Sequence, residues 1–253
     1  MRVNLKFQTA FSMQVIEPQR MYRRIAEELR GDMLRGVWPI GSKLPPERDL
    51  AKHLGVSRPS LREALIALEV EGLIEVRTGS GIYVRSITPR PMQSDAIGPN
   101  NTRDIPLTWG PLEVMYAREI IEVEIASLAA KNARKSEISD MHKGLKLMRE
   151  ASAKGLLTRE GDEAFHLAIA RACGNDVLIF MVQQAWAARD GELFERLGDY
   201  FEHPDSWNKA IEEHEAVLHA IEVHDSKAAR RAMLVHLRNA TKRYSASWKL
   251  PPA

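Results

Sequence analysis

The chain has 253 residues, a formal net charge of +2 and 44% apolar residues, the profile of a soluble globular protein with room for two modest domains or one large one. A single cysteine, Cys173, excludes an intramolecular disulfide framework and points to a reducing cytoplasm. No run approaches the roughly 18 consecutive apolar residues of a membrane span.

The charge is uneven. Residues 18–90 hold 13 Lys and Arg against 9 Asp and Glu, and residues 91–253 hold 21 against 24. A basic first third joined to a mildly acidic remainder suits a nucleic-acid module fused to something else. Residues 1–17 lack an unbroken apolar core and a small-residue cleavage site, so they read as a tail and not a signal peptide.

From Pro18 the pattern "QRMYRRIAEELRGDMLRGVW" predicts a helix with Met21, Ile25, Leu29 and Met33 on one stripe, ended by Gly36 and Pro39. "LPPERDLAKHLG" predicts a short helix entered through Pro45-Pro46 and stopped at Gly55. "VSRPSLREALIALEVEGL" predicts a third, with Ser57 as N-cap, Pro59 in the first turn and Leu61, Leu65 and Leu68 inward. "IEVRTGSGIYVR" reads as two short strands around a tight turn. Three helices and a hairpin make a winged helix-turn-helix over 18–86.

Residues 87–109 hold several prolines and no apolar period, and read as a linker. Beyond them the pattern is helical, with helices expected near 111–134, 137–154, 157–173, 176–197, 206–223 and 226–247. Residues 110–247 are therefore expected to be an all-α bundle. Asn175 is placed to cap the helix after it, and Asp225 or Ser226 to cap the last one.

In a helix-turn-helix the second helix enters the major groove and its first residues reach base edges. Here Arg58 lies in the first turn of that helix and Arg62 one turn on, and arginine is suited to paired hydrogen bonds with guanine. Ser57 and Ser60 are short donors for phosphates, and Arg48 on the preceding helix can reach backbone or base. Gly79 and Gly81 let a wing tip approach DNA closely, having no Cβ.

The stretch "GSKLPPERDLAKHLGVSRPSLREALIALEVEGLIEVRTGSGIYVRS" resembles the N-terminal domain of the GntR family of bacterial transcription regulators. The resemblance implies operator contacts from Arg48, Ser57, Arg58, Ser60, Arg62 and Gly79.

A second pattern lies in "DEAFHLAIARACGN". Asp162 and His166 are one helical turn apart beside Phe165 and Ile169, so both reach one point. His214, in "EEHEAVLHAI", and His236, in "AMLVHL", each lie on or next to the apolar face of another helix. Unsatisfied polar groups inside a bundle cost roughly 1–3 kcal/mol each, and a divalent metal satisfies several at once.

Whether they converge is not legible from spacing. The three segments resemble the FadR-type C-terminal ligand-binding domain in its metal-binding branch, which implies Asp162, His166, His214 and His236 as ligands. Zn²⁺, Ni²⁺ and Mn²⁺ suit such a set on ligand type. The same resemblance implies that Arg118, Trp186 and Arg189 line an effector pocket, with the tryptophan face suited to stacking on a sugar ring. Arg118 is equally readable as a surface charge paired with Glu122.

The expectation is a cytoplasmic, dimeric, ligand-responsive regulator, acting as a repressor on a palindromic operator. "GPLEVMYAREIIE" and "AWAARD" resemble regulators of hexuronate utilisation, which implies a sugar-acid effector. Lactate- or gluconate-type acids are the alternative. From other classes, a metalloenzyme with a DNA-binding arm would need a catalytic base, and no HExxH-type arrangement accompanies these ligands. A constitutive DNA binder would ignore every small molecule.

Overall fold

The computed structural model describes residues 21–77, 79–89 and 109–245. The expected tail over 1–17 and most of the expected linker (residues 90–108) lie outside the described residues.

Helix α1 (Met21–Leu34) buries Tyr22, Ile25, Ala26, Leu29 and Met33. Met21, expected on that stripe, is 54% exposed. Tyr22 stands three residues before Ile25 and takes the inward place, as 3.6 residues per turn allows. Helix α2 (Glu47–Leu54) ends at Gly55, whose φ of 66° is the left-handed conformation that glycine adopts without a Cβ clash.

Ser57 then caps α3 (Arg58–Val70), its Oγ accepting from the Ser60 N–H at 3.2 Å. Strands β1 (Ile74–Arg77) and β2 (Gly81–Val84) pair antiparallel, with Ile74 opposite Val84 and Arg77 opposite Gly81. Leu29, Leu50, Leu61, Leu65, Leu68 and Leu73 meet beneath this hairpin, all essentially inaccessible. Each such side chain contributes about 1.5–3 kcal/mol by leaving water.

Among the described residues seven helices follow: α4 (Pro111–Asn132), α5 (Lys135–Ala153), α6 (Arg159–Ala172), α7 (Asp176–Ala187), α8 (Glu192–Phe201), α9 (Pro204–Glu222) and α10 (Ser226–Ser245). None of them is long and apolar enough to cross a membrane. Asn175 caps α7 as expected, accepting from Val177 and Leu178, and Asp225 accepts from the Ala228 N–H before α10.

One expectation is corrected. The single helix expected over 176–197 is two helices, α7 and α8, separated at Ala188–Gly191. Gly191 is extended (φ −99°, ψ 152°) and starts α8 as its N-cap. The apolar period runs through the break, so periodicity alone does not show it. The turn points Arg189 inward, at 6% exposure.

Phe165, Ile169, Val217, Ile221, Met233 and Leu237 form the centre of the bundle. Helices α5 and α6 cross there at two glycines. A Cβ on Gly144 would stand 2.7 Å from the Phe165 backbone nitrogen, and one on Gly161 2.6 Å from that of Met148. Alanine is worth ~1 kcal/mol over glycine in an open helix. At Gly144 the clash with backbone reverses that sign. Gly144→Ala is expected to destabilise by about 1–3 kcal/mol, lowering the melting temperature roughly 2–4 °C per kcal/mol. A raised melting temperature would show that the crossing is looser than this.

Helix α8 also touches the first module. Leu197, Tyr200 and Phe201 pack on Ile66 of α3, which is fully buried. Beside them Arg196 grips Glu69 of α3, Nε to Oε2 at 3.1 Å and Nη2 to Oε1 at 3.0 Å, and Tyr200 donates to Oε2 at 2.6 Å.

Candidate functional site

Asp162 and His166 come from α6, His214 from α9 and His236 from α10. One ligand atom from each lies within 4.8 Å of all the others. The three imidazoles are buried and Asp162 is 19% exposed. The convergence that spacing leaves open is thus present in the fold.

The hydrogen bonds behind the rings decide which nitrogen faces inward. His166 Nδ1 meets Glu122 Oε2, His214 Nδ1 meets the Ala210 carbonyl at 2.5 Å, and His236 Nδ1 meets Glu213 Oε2 at 2.9 Å. All three partners are acceptors, so in its neutral form each imidazole carries its proton on Nδ1 and turns a bare Nε2 lone pair to the centre. His166 Nε2 and His214 Nε2 are only 3.1 Å apart. Asp162 Oδ1 lies 3.0 Å from the latter and 3.4 Å from the former, yet accepts no hydrogen bond among the described residues. Lone pairs facing one another at these distances repel unless a proton or a metal ion sits among them. Three nitrogens and a carboxylate oxygen fit a borderline divalent metal.

The surrounding charges act on the cluster in both directions. Burial opposes a charge on His166, but the Glu122 and Asp162 carboxylates outweigh it and raise that ring above the usual imidazole value. Burial opposes ionisation of Glu122, but Arg118 and His166 hold its carboxyl far below the usual carboxylate range. Burial likewise opposes charge on Asp162, and the His166 and His214 rings outweigh it and hold that carboxyl well down. Burial opposes charge on Glu213 too, but hydrogen bonds from His236 and Arg243 outweigh it and push the carboxyl down to about 2. Burial, aided by the neighbouring His214, lowers His236 to about 3, so the ring stays neutral.

A cleft opens beside Asp162 and His236, lined by Arg118, Arg159, Arg189, Arg243 and Trp207 among others. Arg118 is buried at 3% exposure and paired with Glu122 at 2.6 Å. The expected i,i+4 pair therefore exists, but inside the bundle and not on its surface. Arg189 donates to Asp162 Oδ2 at 3.3 Å and lies 3.9 Å from Glu202.

Trp186 departs from its expected role. It is 1% exposed and does not line the cleft. The Arg118 and Arg189 guanidiniums already lie over its ring, at 4.2 Å and 4.4 Å from the centroid. It orients two arginines and has no open face for a sugar. Trp207 is the tryptophan on the cleft, and its buried Nε1–H has no acceptor among the described residues. Sequence reasoning missed it. The signal was its place seven residues before His214, on the same face of α9.

The residues expected at DNA lie at the other end of the chain. The Arg48 side chain is 84% exposed, beside Asp49. Ser57 and Ser60 share a hydroxyl contact of 2.8 Å at the start of α3. Gly79, with φ 68°, stands at the wing tip, and among the described residues nothing lies within 4 Å of where a Cβ would stand. Arg58 is 53% exposed, but Arg62 is 2% exposed, and both contact Glu47 of α2. Arg62 therefore does not lie open on the same face as Arg58, as sequence spacing suggested. The half-buried carboxylate of Glu47 draws it in.

The two ends of the chain each match a known family. Residues 21–84 match the family described as bacterial regulatory proteins, gntR family, and residues 113–239 match the FCD domain. The chain is 36% identical over 221 residues to the Uxu operon regulator of Haemophilus influenzae, covering 87% of this chain and 80% of the relative. It is 36% identical over 234 residues to the Exu regulon transcriptional regulator of Escherichia coli K12, covering 90% and 85%. A protein of the same strain named for the L-lactate dehydrogenase operon is 32% identical over 228 residues, covering 88% and 86%.

Proposed function

The chain belongs to the gntR family of bacterial regulatory proteins, with an FCD domain, and from that premise we propose a DNA-binding transcription regulator of hexuronate utilisation. It carries its reading head in 18–86, a linker in 87–109 and an effector domain in 110–247. It acts in the cytoplasm as a homodimer that represses from a palindromic operator, and it is a regulator and not an enzyme. The observation that carries this reading is one chain holding both an exposed arginine at the start of a recognition helix and a cleft beside a four-ligand cluster.

Asp162, His166, His214 and His236 would hold one divalent ion, Zn²⁺, Ni²⁺ or Mn²⁺. Bound there, the ion supplies a Lewis-acidic point for the carboxylate of a small effector. The chain's own groups do the rest. The cleft arginines, each paired with a carboxylate, are donors that an anion can share, while the unsatisfied Trp207 Nε1–H and the Ser206 and Thr158 side chains on the cleft suit hydroxyl-bearing ligands. A sugar acid matches that mixture better than lactate, which carries one hydroxyl. The similarity to the Uxu and Exu regulators points the same way.

The test is binding to an operator duplex while galacturonate, glucuronate, a keto-deoxy-gluconate, gluconate and lactate are titrated separately. A hexuronate or its derivative is expected to change operator affinity at lower concentration than gluconate or lactate. If lactate acts first, the regulator reading stands and the sugar-acid reading is lost. If no acid changes operator affinity, the chain is a constitutive DNA binder.

A further inference from the structure

At the start of α3 one carboxylate serves two arginines. Glu47, the first residue of α2, is 14% exposed. Arg62 grips it with two prongs, Nε to Oε2 at 2.8 Å and Nη2 to Oε1 at 2.8 Å. Arg58 gives it only Nε, to Oε1 at 3.0 Å.

The difference decides what each guanidinium has left. A fork-on-fork pair fixes Arg62 in plane and commits the edge that would otherwise clamp a guanine. Its burial leaves no path from that edge to a base without breaking the pair, and it would strand the Glu47 carboxylate near DNA phosphates. Arg58 is tethered at the root of its guanidinium, and its side chain is half open to solvent. Its two terminal nitrogens are the edge this tether leaves uncommitted. Tethering matters because a loose arginine must freeze many rotamers on binding. Glu47 also lies between two like charges one helical turn apart, which would otherwise repel.

We propose that Glu47 and Arg62 are positioning residues for DNA reading: their two-pronged ion pair holds Arg58 by Nε, and Arg58 alone of the two arginines reads a base, a guanine through O6 and N7. This rests on the regulator reading above, and the experiment separates the two.

Wild-type full-length chain is used to select duplexes from a random-sequence pool, and each variant is measured on the selected duplex, on its single-base changes and on a scrambled duplex. Arg58→Ala is expected to lose preference for guanine at one position per half-site, roughly ten- to hundredfold in relative affinity. Glu47→Gln keeps the shape and removes the charge. It should lose most of the same preference, at the same position, while its salt-dependent affinity for the scrambled duplex changes less than about threefold. That retained affinity also reports a folded module. Arg62→Lys keeps the charge and loses the fork, so it should weaken preference at Arg58's position and nowhere else. In an Arg58→Ala background, Glu47→Gln should add nothing there.

Loss of preference at a second base pair in Arg62→Lys makes Arg62 a reader and overturns the proposal. So does wild-type preference in Glu47→Gln, or an equal loss on selected and scrambled duplexes, which marks a merely structural role. A wild-type chain that selects no sequence overturns the regulator reading itself, and this inference with it.

Discussion

Elemental analysis of the purified protein is expected to return about one divalent metal ion per chain, with His214→Ala or His236→Ala losing most of it. The size of the loss follows from the ligand count. The cluster offers four protein atoms, so removing an imidazole leaves three and opens a gap in the wall of the bundle. Neither neighbouring carboxylate replaces it: Glu122 stays held by Arg118 and His166, and Glu213 by Asn239 and Arg243. Those carboxylates supply a graded test. Glu213→Gln keeps the size of the side chain but weakens the acceptor that orients His236, and a loss of about 10–100-fold in metal affinity is expected for such a change. Stability should follow occupancy, because an ion bound only by the folded chain stabilises it in proportion to RT ln(1 + [L]/Kd). A chelator should therefore lower the melting temperature of the wild type and have little effect on His214→Ala. Full metal content in both histidine variants, with native helical circular dichroism, would sink the site.

The ligands were legible because histidine is conspicuous on an apolar helix face, and Asp162 and His166 are one turn apart. Their supports were not. Glu213 directly precedes His214 in the chain, yet its hydrogen bond goes to His236 on α10, which only packing decides. Glu122 was visible as the partner of Arg118, but whether that pair faced water or the core depends on which side of α4 the last helix covers. The same limit applies to Arg62. Helical spacing puts it one turn beyond Arg58, while its burial depends on Glu47, fifteen residues earlier and on another helix. The DNA module was legible nearly to the residue, because caps, glycine stops and a hairpin turn are local chemistry. The break between α7 and α8 was not, since no lapse in the apolar pattern marks it. That break shapes the cleft, because it turns Arg189 onto Asp162 and frees α8 to lie between two modules.

Helix α8 is where effector and operator are expected to meet, and Arg196→Ala should uncouple them. At its end Phe201 and Glu202 line the cleft, with Arg189 between Glu202 and the cluster carboxylate Asp162. Along its length Leu197 and Tyr200 pack on Ile66, while Arg196 and Tyr200 hold Glu69. Burial, reinforced by Glu69, pushes the Tyr200 hydroxyl up, so it remains a neutral donor to that carboxylate. An anion entering the cleft competes with Asp162 and Glu202 for Arg189. Any shift this causes in α8 reaches α3 through a two-pronged ion pair and a packed aromatic, without touching DNA. Linkage requires operator and effector to alter each other's affinity by one factor, typically ~1–3 kcal/mol. In Arg196→Ala that factor should fall toward unity, because Glu69 loses both prongs and keeps from α8 only the Tyr200 hydroxyl. Metal content should not change, since Arg196 contacts none of the four ligands. The check is to titrate a responding sugar acid with and without operator, for wild type and variant. A variant that couples as strongly as wild type would remove α8 from the path.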